Sequence, residues 1–345
     1  MYLTVEPITL HLKTPFRIAH GVSAARHNVL VHLDDGVGEA ALAPHYGYSQ
    51  TEVMIYLQNL DLDVLLGDDP LALEDALDRL PPGPAPARTA IDVALHDRWA
   101  RRLNQPLYRL WGLNPMRVPL SSLTIGITEG KDELRQRVQM AEGFPILKLK
   151  LGTGDLETDE AIVRMVHQEK EPLTHLCVDA NSAWQVEEAA RIIPRLAAYD
   201  LLFIEQPIPA TRMEDWHHLR RLLPDNLPPL IADESVQQAS DILALNGAAD
   251  GINIKLAKAG GLREARRMIA LARALNMRVM LGCMVESSVG VTAATHLAPL
   301  VDFADLDGNL DVSNDPYVGV KMERGRLYLP QKAGLGVTRV FLTSL

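Results

Sequence analysis

Acidic side chains end three consecutive apolar segments of the chain. They are Asp179, Glu205 and Asp233, and the two intervals between them are nearly equal. Such an interval holds one strand, loop, helix and return loop, so we expect the three carboxylates to meet at one end of a parallel barrel. Three ionised carboxylates need a cation between them, and oxygen ligands suit Mg²⁺. The alternative is that each acid caps the helix after its strand.

Lysines occupy two strands that such a barrel would place opposite each other. Lys150 ends the second of eight apolar segments, and Lys255 ends the sixth. Lys148 is expected on the same strand face as Lys150. Beside Mg²⁺, two opposed lysines could remove and return the proton of an acidified α-carbon, which would invert it. Buried lysines are costly, so the alternative is that they reach solvent at a frayed strand end. Lys258 is assigned to the following loop, in a structural or solvent-exposed role.

The elements that must position these residues form a repeating pattern. The apolar segments recur at nearly regular intervals, and amphipathic helical stretches separate them. The eight segments are Ser121–Gly126, Ile146–Leu151, His175–Ala180, Leu201–Gln206, Leu230–Glu234, Gly251–Leu256, Arg278–Cys283 and Phe303–Gly308. This α/β pattern predicts a (β/α)₈-type barrel, similar to a TIM barrel. A doubly wound open sheet is the alternative, but no G-x-G-x-x-G motif follows the first segment.

The N-terminal part predicts a smaller α+β domain that caps the barrel. Its predicted strands are an alternating stretch from Leu3 to Leu12, then Asn28–Leu33 and Val37–Leu42 around an Asp-Asp-Gly turn. Its predicted helices are Glu52–Leu66, Leu71–Leu80 and Arg88–Leu103. We therefore predict a capping domain over residues 1–113 and a catalytic barrel over 114–317. A C-terminal return over about 318–345 is expected to complete the cap.

Charge, hydropathy and cysteine content exclude several classes of protein. The 34 basic and 44 acidic residues give a formal net charge of −10, which argues against nucleic acid or an anionic membrane as a partner. No apolar run is long enough to cross a bilayer and no signal-peptide pattern precedes the first strand, so we expect neither a membrane span nor export. Cys177 and Cys283 lie in apolar segments and are expected to be buried free thiols in a cytoplasmic protein.

The motifs around the acids and lysines resemble the enolase superfamily, specifically its muconate-lactonising subgroup. The matching motifs are Lys148-Leu149-Lys150, Asp179-Ala180-Asn181, Glu205-Gln206-Pro207, Asp233-Glu234-Ser235 and Asn253-Ile254-Lys255-Leu256. The resemblance implies a modified (β/α)₇β barrel with an α+β cap, and usually a homo-oligomer. It implies one Mg²⁺ per subunit, held by Asp179, Glu205 and Asp233. It also implies acid/base catalysis by Lys150 and Lys255, with Lys148 supporting Lys150 and contacting the substrate carboxylate.

The eighth segment resembles a narrower group, the dipeptide epimerases. Their Asp-x-Asp signature matches Asp305-Leu306-Asp307, and in that group the two acids bind the α-ammonium of the dipeptide. Two acids on one strand face suit a cation, although Asp307 followed by Gly308 is also a turn signal. By the same resemblance Thr124 and Met284 contact the substrate. Glu286 is assigned a structural role.

The resemblance implies epimerisation of the C-terminal residue of an L,L-dipeptide through a metal-stabilised enediolate. Three activities on the same scaffold stay open, namely those of N-succinylamino acid racemase, o-succinylbenzoate synthase and muconate cycloisomerase. Their substrates lack the free ammonium that the acid pair would bind. A non-catalytic metal-binding barrel is a more distant alternative.

Two stretches of the cap are expected to contact the substrate side chain and to determine which side chains are accepted. The first, Pro15–His27, is predicted to be a loop that folds over the barrel mouth. Members selective for a glutamyl residue tend to carry an arginine in this loop, but the corresponding position here is Gly21. The basic residues near it are Arg17, His20, Arg26 and His27. In the second stretch His45, Tyr46 and Tyr48 either form an aromatic pocket or pack the cap on the barrel. The preferred dipeptide therefore stays open.

Overall fold

A three-stranded antiparallel sheet and five helices form the N-terminal part of the computed structural model, which describes residues 2–69 and 71–340. These elements are β1 (Leu3–Ile18), β2 (Gly21–Leu33), β3 (Gly36–Ala40), α1 (Gln50–Gln58), α2 (Leu62–Leu66), α3 (Leu73–Arg79), α4 (Ala85–Arg102) and α5 (Leu107–Leu110). The longest helix, α4, packs against β3 so closely that a side chain at Gly36 or Gly38 would overlap the helix backbone. The predicted α+β cap is confirmed.

The stretch predicted as a loop over the barrel mouth is instead a β-hairpin. β1 and β2 pair as far as Ile18 and Gly21, with a register shift between His11 and Phe16. The hairpin tip does lie over the mouth, since His20 Nε2 is 3.9 Å from Glu234 Oε1. Alternation of apolar and polar residues requires one buried face. No side chain in the predicted loop stretch, residues 15–27, is fully buried, so that part of the hairpin lacks the signal.

The first predicted helix of the cap is also wrong in its extent. One helix was expected over Glu52–Leu66, but the structure has α1 and α2 with a break at Leu60. Asp61 begins the second helix, because its Oδ1 accepts hydrogen bonds from the backbone N–H groups of Asp63 and Val64. An aspartate that caps two free N–H groups starts a helix even inside a continuous apolar pattern.

Eight parallel strands follow in one sheet, and each neighbours the next one in sequence. They are β4 (Leu123–Ile125), β5 (Ile146–Lys150), β6 (His175–Asp179), β7 (Leu201–Glu205), β8 (Leu230–Ala232), β9 (Gly251–Lys255), β10 (Arg278–Gly282) and β11 (Phe303–Asp305). The helices between them are α6 (Lys131–Met140), α7 (Leu156–Glu169), α8 (Val186–Leu196), α9 (Met213–Leu222), α10 (Ala239–Leu245), α11 (Leu256–Ala259), α12 (Leu262–Ala274) and α13 (Ser288–Thr295). Each predicted apolar segment contains one of these strands, as expected for parallel strands buried on both faces.

The sheet closes into a barrel. Ser121, just before β4, forms a parallel bridge with Ala304 of β11, and Ser122 N–H donates to the Ala304 carbonyl at 3.0 Å. The predicted modified (β/α)₇β barrel is therefore confirmed. A large apolar core lies between strands and helices and includes Leu30 and Val37 of the cap, so cap and barrel share packing. The boundary proposed after residue 113 stays a prediction.

The remaining chain forms short antiparallel pairs that return to the cap. Strands β12 (Tyr317–Val318) and β15 (Thr338–Arg339) pair with each other, as do β13 (Lys321–Glu323) and β14 (Arg326–Tyr328). Leu335 N–H donates to Asp97 Oδ1 of α4 at 2.7 Å. Residues 341–345 of the predicted return lie outside the described residues. Short 3₁₀ helices occur at Pro44–Tyr46, Pro115–Arg117, Ala197–Tyr199 and Ala298–Leu300.

The sequence also makes predictions about membrane-spanning helices and about the two cysteines. No helix in residues 2–69 or 71–340 combines the length and apolar character that a bilayer span requires. Cys177 is a buried free thiol as expected, but Cys283 is only partly buried, because it lies just beyond β10 where the barrel opens.

A buried histidine joins the cap, the barrel and the C-terminal return. His296, at the end of α13, accepts a hydrogen bond at Nδ1 from Tyr108 N–H of α5 at 3.2 Å. Its Nε2–H donates to the Leu335 carbonyl at 3.0 Å. The neutral ring can therefore hydrogen-bond both neighbours. In the protonated ring, the proton on Nδ1 would point at the Tyr108 N–H group, which is also a donor. Burial lowers the pKa of His296 to about 4.

Acid is expected to weaken the fold through this histidine. In the unfolded chain a histidine pKa is about 6.5, so protonation of His296 favours the unfolded chain. The contribution of His296 to the free energy of unfolding is therefore complete above about pH 6.5 and is lost as the pH falls towards 4. Between pH 7.5 and pH 5 the free energy of unfolding should fall by about 2 kcal/mol more than in His296→Gln. Urea titrations at both pH values measure this difference. His218→Gln, at an exposed position of α9, is the control, and an equal pH dependence in His296→Gln would contradict the prediction.

Candidate active site

The three acids predicted from the spacing meet at the carboxyl end of the barrel. Asp179 ends β6, Glu205 ends β7 and Asp233 follows β8 directly. One carboxylate oxygen of each lies within 4.8 Å of the other two, and all three side chains are fully buried. Helices α8, α9 and α10 begin after other N-cap residues, Gln185, Arg212 and Gln238. The capping alternative therefore does not apply to these acids.

The donor chemistry of this cluster fits a hard divalent cation. Glu205 Oε2 is buried without a hydrogen bond from any described residue, although Lys148 Nζ lies 2.7 Å away outside hydrogen-bond geometry. Burial, followed by the negative charge of Asp179, raises the pKa of Glu205 to about 8. An under-coordinated carboxylate oxygen facing two others is the arrangement that Mg²⁺ or a similar cation would relieve.

Two lysines approach the cluster from opposite sides of the barrel. Lys150 Nζ donates to Asp179 Oδ2 at 2.6 Å, and Lys255 Nζ donates to Asp233 Oδ2 at 2.7 Å. Their strands, β5 and β9, are four positions apart in the eight-stranded order. The side chains are buried, so they do not reach solvent at a frayed strand end. Burial opposes the charge of Lys255, but Asp233 raises its pKa well above the usual value.

The other two lysines of the site are also buried. Lys148 Nζ lies 2.7 Å from Glu205 Oε2, 2.7 Å from Asp305 Oδ2 and 3.3 Å from Asp179 Oδ2. The solvent-exposed role considered for Lys258 is wrong. Lys258 lies in α11, and its ammonium donates hydrogen bonds to the carboxylate and the backbone carbonyl of Asp233. Of the two roles considered, the structural one therefore remains. The short helix directly after β9 turns Lys258 inward, and the local sequence does not reveal that turn.

The two acids of the eighth strand occupy different environments. Asp305 accepts hydrogen bonds from Ser122 Oγ at 2.6 Å, Thr124 Oγ1 at 3.2 Å and Lys148 Nζ at 2.7 Å. Asp307 accepts a hydrogen bond from Thr124 N–H at 2.7 Å and is partly exposed. Burial opposes ionisation of Asp305, but the charge of Lys148 holds its pKa at about 2. Burial and the charge of Asp305 raise the pKa of Asp307 to about 6.

The cap supplies aromatic and basic groups at the mouth. The His20 and His45 rings stack with centroids 4.8 Å apart, and Tyr46 lies 4.4 Å from His45. Arg26 lies directly opposite buried Leu10 in the hairpin, on the strand face that turns inward. The other candidates point elsewhere: Arg17 pairs with Glu129 at 2.9 Å, and His27 contacts Thr9 at 3.1 Å.

Met284 and Glu286 follow β10 at the junction of cap and barrel. Met284 and both tyrosines of the second cap stretch, Tyr46 and Tyr48, border one small cavity there. Glu286 is buried and its Oε1 accepts from Met284 N–H at 2.9 Å. Burial, then the charge of Glu39, raises the pKa of Glu286 to about 8. These contacts agree with the structural role assigned to Glu286.

Amides that stand in the quoted motifs, but for which no role was predicted, orient the acids. Asn253 Nδ2 donates to Glu205 Oε1 at 2.7 Å. Gln206 Oε1 accepts from Asp233 N–H at 2.8 Å, and Asn181 Nδ2 donates to Asp179 Oδ2 at 3.3 Å. A signal was present for Asn253, since it precedes Lys255 by two positions and therefore shares its strand face. Buried amides of this kind fix the carboxylate positions.

Comparison with known proteins agrees with this combination of barrel, cap and acid–lysine centre. The family description "Enolase C-terminal domain-like" matches residues 131–339. The description "Mandelate racemase / muconate lactonizing enzyme, N-terminal domain" matches residues 2–112. Together they define the class as enolase-like barrel enzymes. The chain belongs to the mandelate racemase and muconate lactonizing enzyme family.

Individual relatives with high sequence identity are named as epimerases. The chain is 38% identical to the L-Ala-D/L-Glu epimerase of Bacteroides thetaiotaomicron, over 99% of this chain and 88% of that one. It is 36% identical to the L-Lys-D/L-Arg epimerase of Methylococcus capsulatus, over 94% and 95%. Among solved structures, the dipeptide epimerase of Cytophaga hutchinsonii, complexed with Mg and D-Ala-L-Val, superposes with a TM-score of 0.90. Its identity is 28%, over 99% of this chain and 96% of that one.

Proposed function

We propose that the protein is a Mg²⁺-dependent dipeptide epimerase that inverts the α-carbon of the C-terminal residue. The observation that carries this proposal is the placement of Lys150 and Lys255 on opposite sides of the three-acid cluster, with Asp307 open at the mouth. Relatives named as epimerases, and a dipeptide epimerase solved with Mg and a dipeptide, support it. The residue assignments are part of the proposal.

Asp179, Glu205 and Asp233 would hold Mg²⁺, and the bound cation would supply positive charge that stabilises the negative charge developing when a carboxylate substrate loses its α-proton. Lys150 or Lys255, once neutral, accepts that proton from one face of the α-carbon. The other lysine, as an ammonium, delivers a proton to the opposite face, which inverts the centre. Lys148 stays protonated between its carboxylates and offers the substrate carboxylate a positive charge. The cap hairpin excludes water from this space.

The partly exposed carboxylate of Asp307 favours dipeptides over the other substrates of this scaffold. Asp307 follows Asp305 by two positions. Among the described residues, no lysine lies within ion-pair distance of Asp307. A substrate ammonium would compensate its charge. Acylated amino acids and muconate bring no such cation, and their own negative charge would be repelled. We therefore place racemisation of N-succinylamino acids second.

A deuterium-exchange screen tests the proposal. The protein is incubated in D₂O with MgCl₂ and two pools, L,L-dipeptides and N-succinylamino acids, and mass spectrometry reports α-deuterium. We expect deuterium in dipeptides only, and the labelled members will identify the preferred side chains. Label confined to the succinylated pool would assign the protein to the racemase activity instead. An absence of label in both pools, with Mg²⁺ binding shown by calorimetry, would contradict the proposed function, either in its substrate class or in proton transfer by the lysines.

A further inference from the structure

Two buried carboxyl groups meet where the cap joins the barrel. Glu39 of β3 is 2% exposed, and Glu286, which follows β10, is 3% exposed. Both approach Gly290 in the first turn of α13. The Gly290 N–H donates to Glu39 Oε2 at 3.1 Å, and a β-carbon added to this glycine would lie only 2.2 Å from Glu286 Oε2. The two carboxyl groups are therefore neighbours, and neither takes part in the proposed metal binding or proton transfer.

The two groups have different hydrogen-bond environments. Glu39 accepts from Asn28 Nδ2 at 2.9 Å, from the Gly290 N–H, and from the backbone N–H and hydroxyl of Ser287 at 3.0 and 2.5 Å. Burial raises the pKa of Glu39, but these four donors oppose that shift because they stabilise a negative charge. Among the described residues, only the Met284 N–H donates to Glu286, at 2.9 Å. Glu39 is therefore the ionised member of the pair, and Glu286 is the neutral one.

The groups that surround Glu286 favour its neutral form. Burial, followed by the charge of Glu39, raises the pKa of Glu286 to about 8, whereas the Met284 N–H and the charge of Lys255 lower it. Burial also raises the pKa of the neighbouring Cys283 thiol well above its usual value, so this group stays uncharged. Helix α13 contains no titratable side chain. An ionised Glu286 would face the charge of Glu39 with a single donor of its own, so the two carboxylates would be driven apart.

Movement of Glu286 would reach the mouth of the barrel. Its Oε1 fixes the N–H group of Met284, two residues earlier in the chain. The Met284 carbonyl in turn packs so closely on Gly308, directly after Asp307, that a side chain at this glycine would overlap it. Residues 283–286, which we call the Met284 segment, therefore connect the buried carboxyl pair to the space that a substrate would enter.

We propose that Glu286 is a positioning residue that acts only in its neutral form, in which it lies beside the ionised Glu39 and holds the Met284 segment where dipeptide binding requires it. The inference rests on the proposed function and goes beyond it, since it assigns a task to a carboxyl group that the reaction itself does not use. Ionisation of Glu286 should raise KM and leave kcat nearly unchanged, because its one hydrogen bond within the described residues goes to Met284 and not to a lysine.

The pH dependence of KM tests this role with the best dipeptide of the exchange screen and saturating MgCl₂. In Glu286→Gln the amide keeps an acceptor for the Met284 N–H and cannot ionise. The ratio of KM in the unaltered protein to KM in Glu286→Gln should rise by about 10-fold between pH 7 and pH 9, as expected when a group with a pKa of about 8 must be neutral. This ratio cancels the ionisation of the dipeptide and of the lysines, which both proteins share.

Two further variants complete this test. Glu286→Ala removes the acceptor of the Met284 N–H and should raise KM at every pH. Glu142→Gln, at an exposed position beyond α6, is the control and should keep the pH dependence of the unaltered protein. If a dipeptide exchanges its α-proton but the KM ratio is constant from pH 7 to pH 9, the inference is overturned and the proposed function stands. If no dipeptide exchanges, both are overturned, because no substrate remains to be positioned.

An infrared titration follows the carboxyl pair without turnover. In the full-length protein with MgCl₂, the C=O band of neutral Glu286 is identified by its absence in Glu286→Gln, or in Glu286→Met if the first variant does not fold. We expect the band at pH 7 and its loss above about pH 8. In Glu39→Gln the band should be lost at lower pH, because the neighbouring negative charge is removed. A band that is absent at pH 7, or that titrates identically in Glu39→Gln, would overturn the inference.

Discussion

Lys150→Met is expected to abolish epimerisation while it leaves α-proton exchange in one of the two epimers. Inversion needs a proton acceptor on one face of the α-carbon and a donor on the other, and Lys150 and Lys255 lie on opposite sides of the acid cluster. Methionine nearly matches lysine in shape but has no amine that could accept or donate a proton. Turnover should fall by about 10²- to 10⁴-fold, as expected when a positioned acid/base group is removed.

The informative measurement is exchange from each epimer separately. Lys150→Met and Lys255→Met should each retain deuterium incorporation in one epimer of the dipeptide, and the retained epimers should differ between the two variants. Nuclear magnetic resonance in D₂O with purified L,L and L,D dipeptides measures this. Lys131→Met, at the exposed start of α6, is the control and should behave as the unaltered protein. If both variants keep exchange in the same epimer, the two-base arrangement is wrong.

Glu205→Gln is expected to remove Mg²⁺ binding without destabilising the metal-free protein. Glu205 is buried between Asp179 and Lys148, and its Oε2 lacks a hydrogen bond within the described part of the chain. Because burial and Asp179 raise its pKa to about 8, the ionised form is disfavoured in the absence of a cation. A neutral amide of the same shape removes the free-energy cost of burying a negative charge, but it is a poorer ligand for Mg²⁺.

Calorimetric titration with MgCl₂ should show affinity weakened by at least about 100-fold, because even the residues that orient metal ligands contribute 10- to 100-fold. Epimerisation should fall by about 10³-fold. The melting temperature in EDTA should equal or exceed that of the unaltered protein. Glu264→Gln on α12 applies the same chemical change away from the acid cluster and should alter none of these quantities. Unchanged Mg²⁺ affinity in Glu205→Gln would remove Glu205 from the ligand set.

Much of the barrel and of its acid–lysine centre was predictable from residue order alone. In a (β/α) repeat the strand ends converge at one rim, so two intervals of one repeat each suffice to bring Asp179, Glu205 and Asp233 together. Strand number likewise places Lys150 opposite Lys255. These features follow from the regular spacing of the strands along the chain, and that spacing is visible in the sequence.

Other features became visible only in three dimensions. The tip of the cap hairpin, residues 15–27, was not predicted as strand, because none of its side chains is fully buried on either face. Asp305 and Asp307 look equivalent in sequence, but Asp305 is enclosed by Ser122 and Lys148, which are both distant from it along the chain. Lys258 turns inward because a one-turn helix follows β9.

The sequence by itself therefore determined the barrel, its family and the groups gathered at its rim. Tertiary structure decided which of those groups are already paired and which remain free for a ligand. The reason is physical: periodicity sets the position of a side chain along and around the barrel, whereas its partners, charge state and exposure depend on neighbours that are distant in sequence. The difference between Asp305 and Asp307 follows from such neighbours alone.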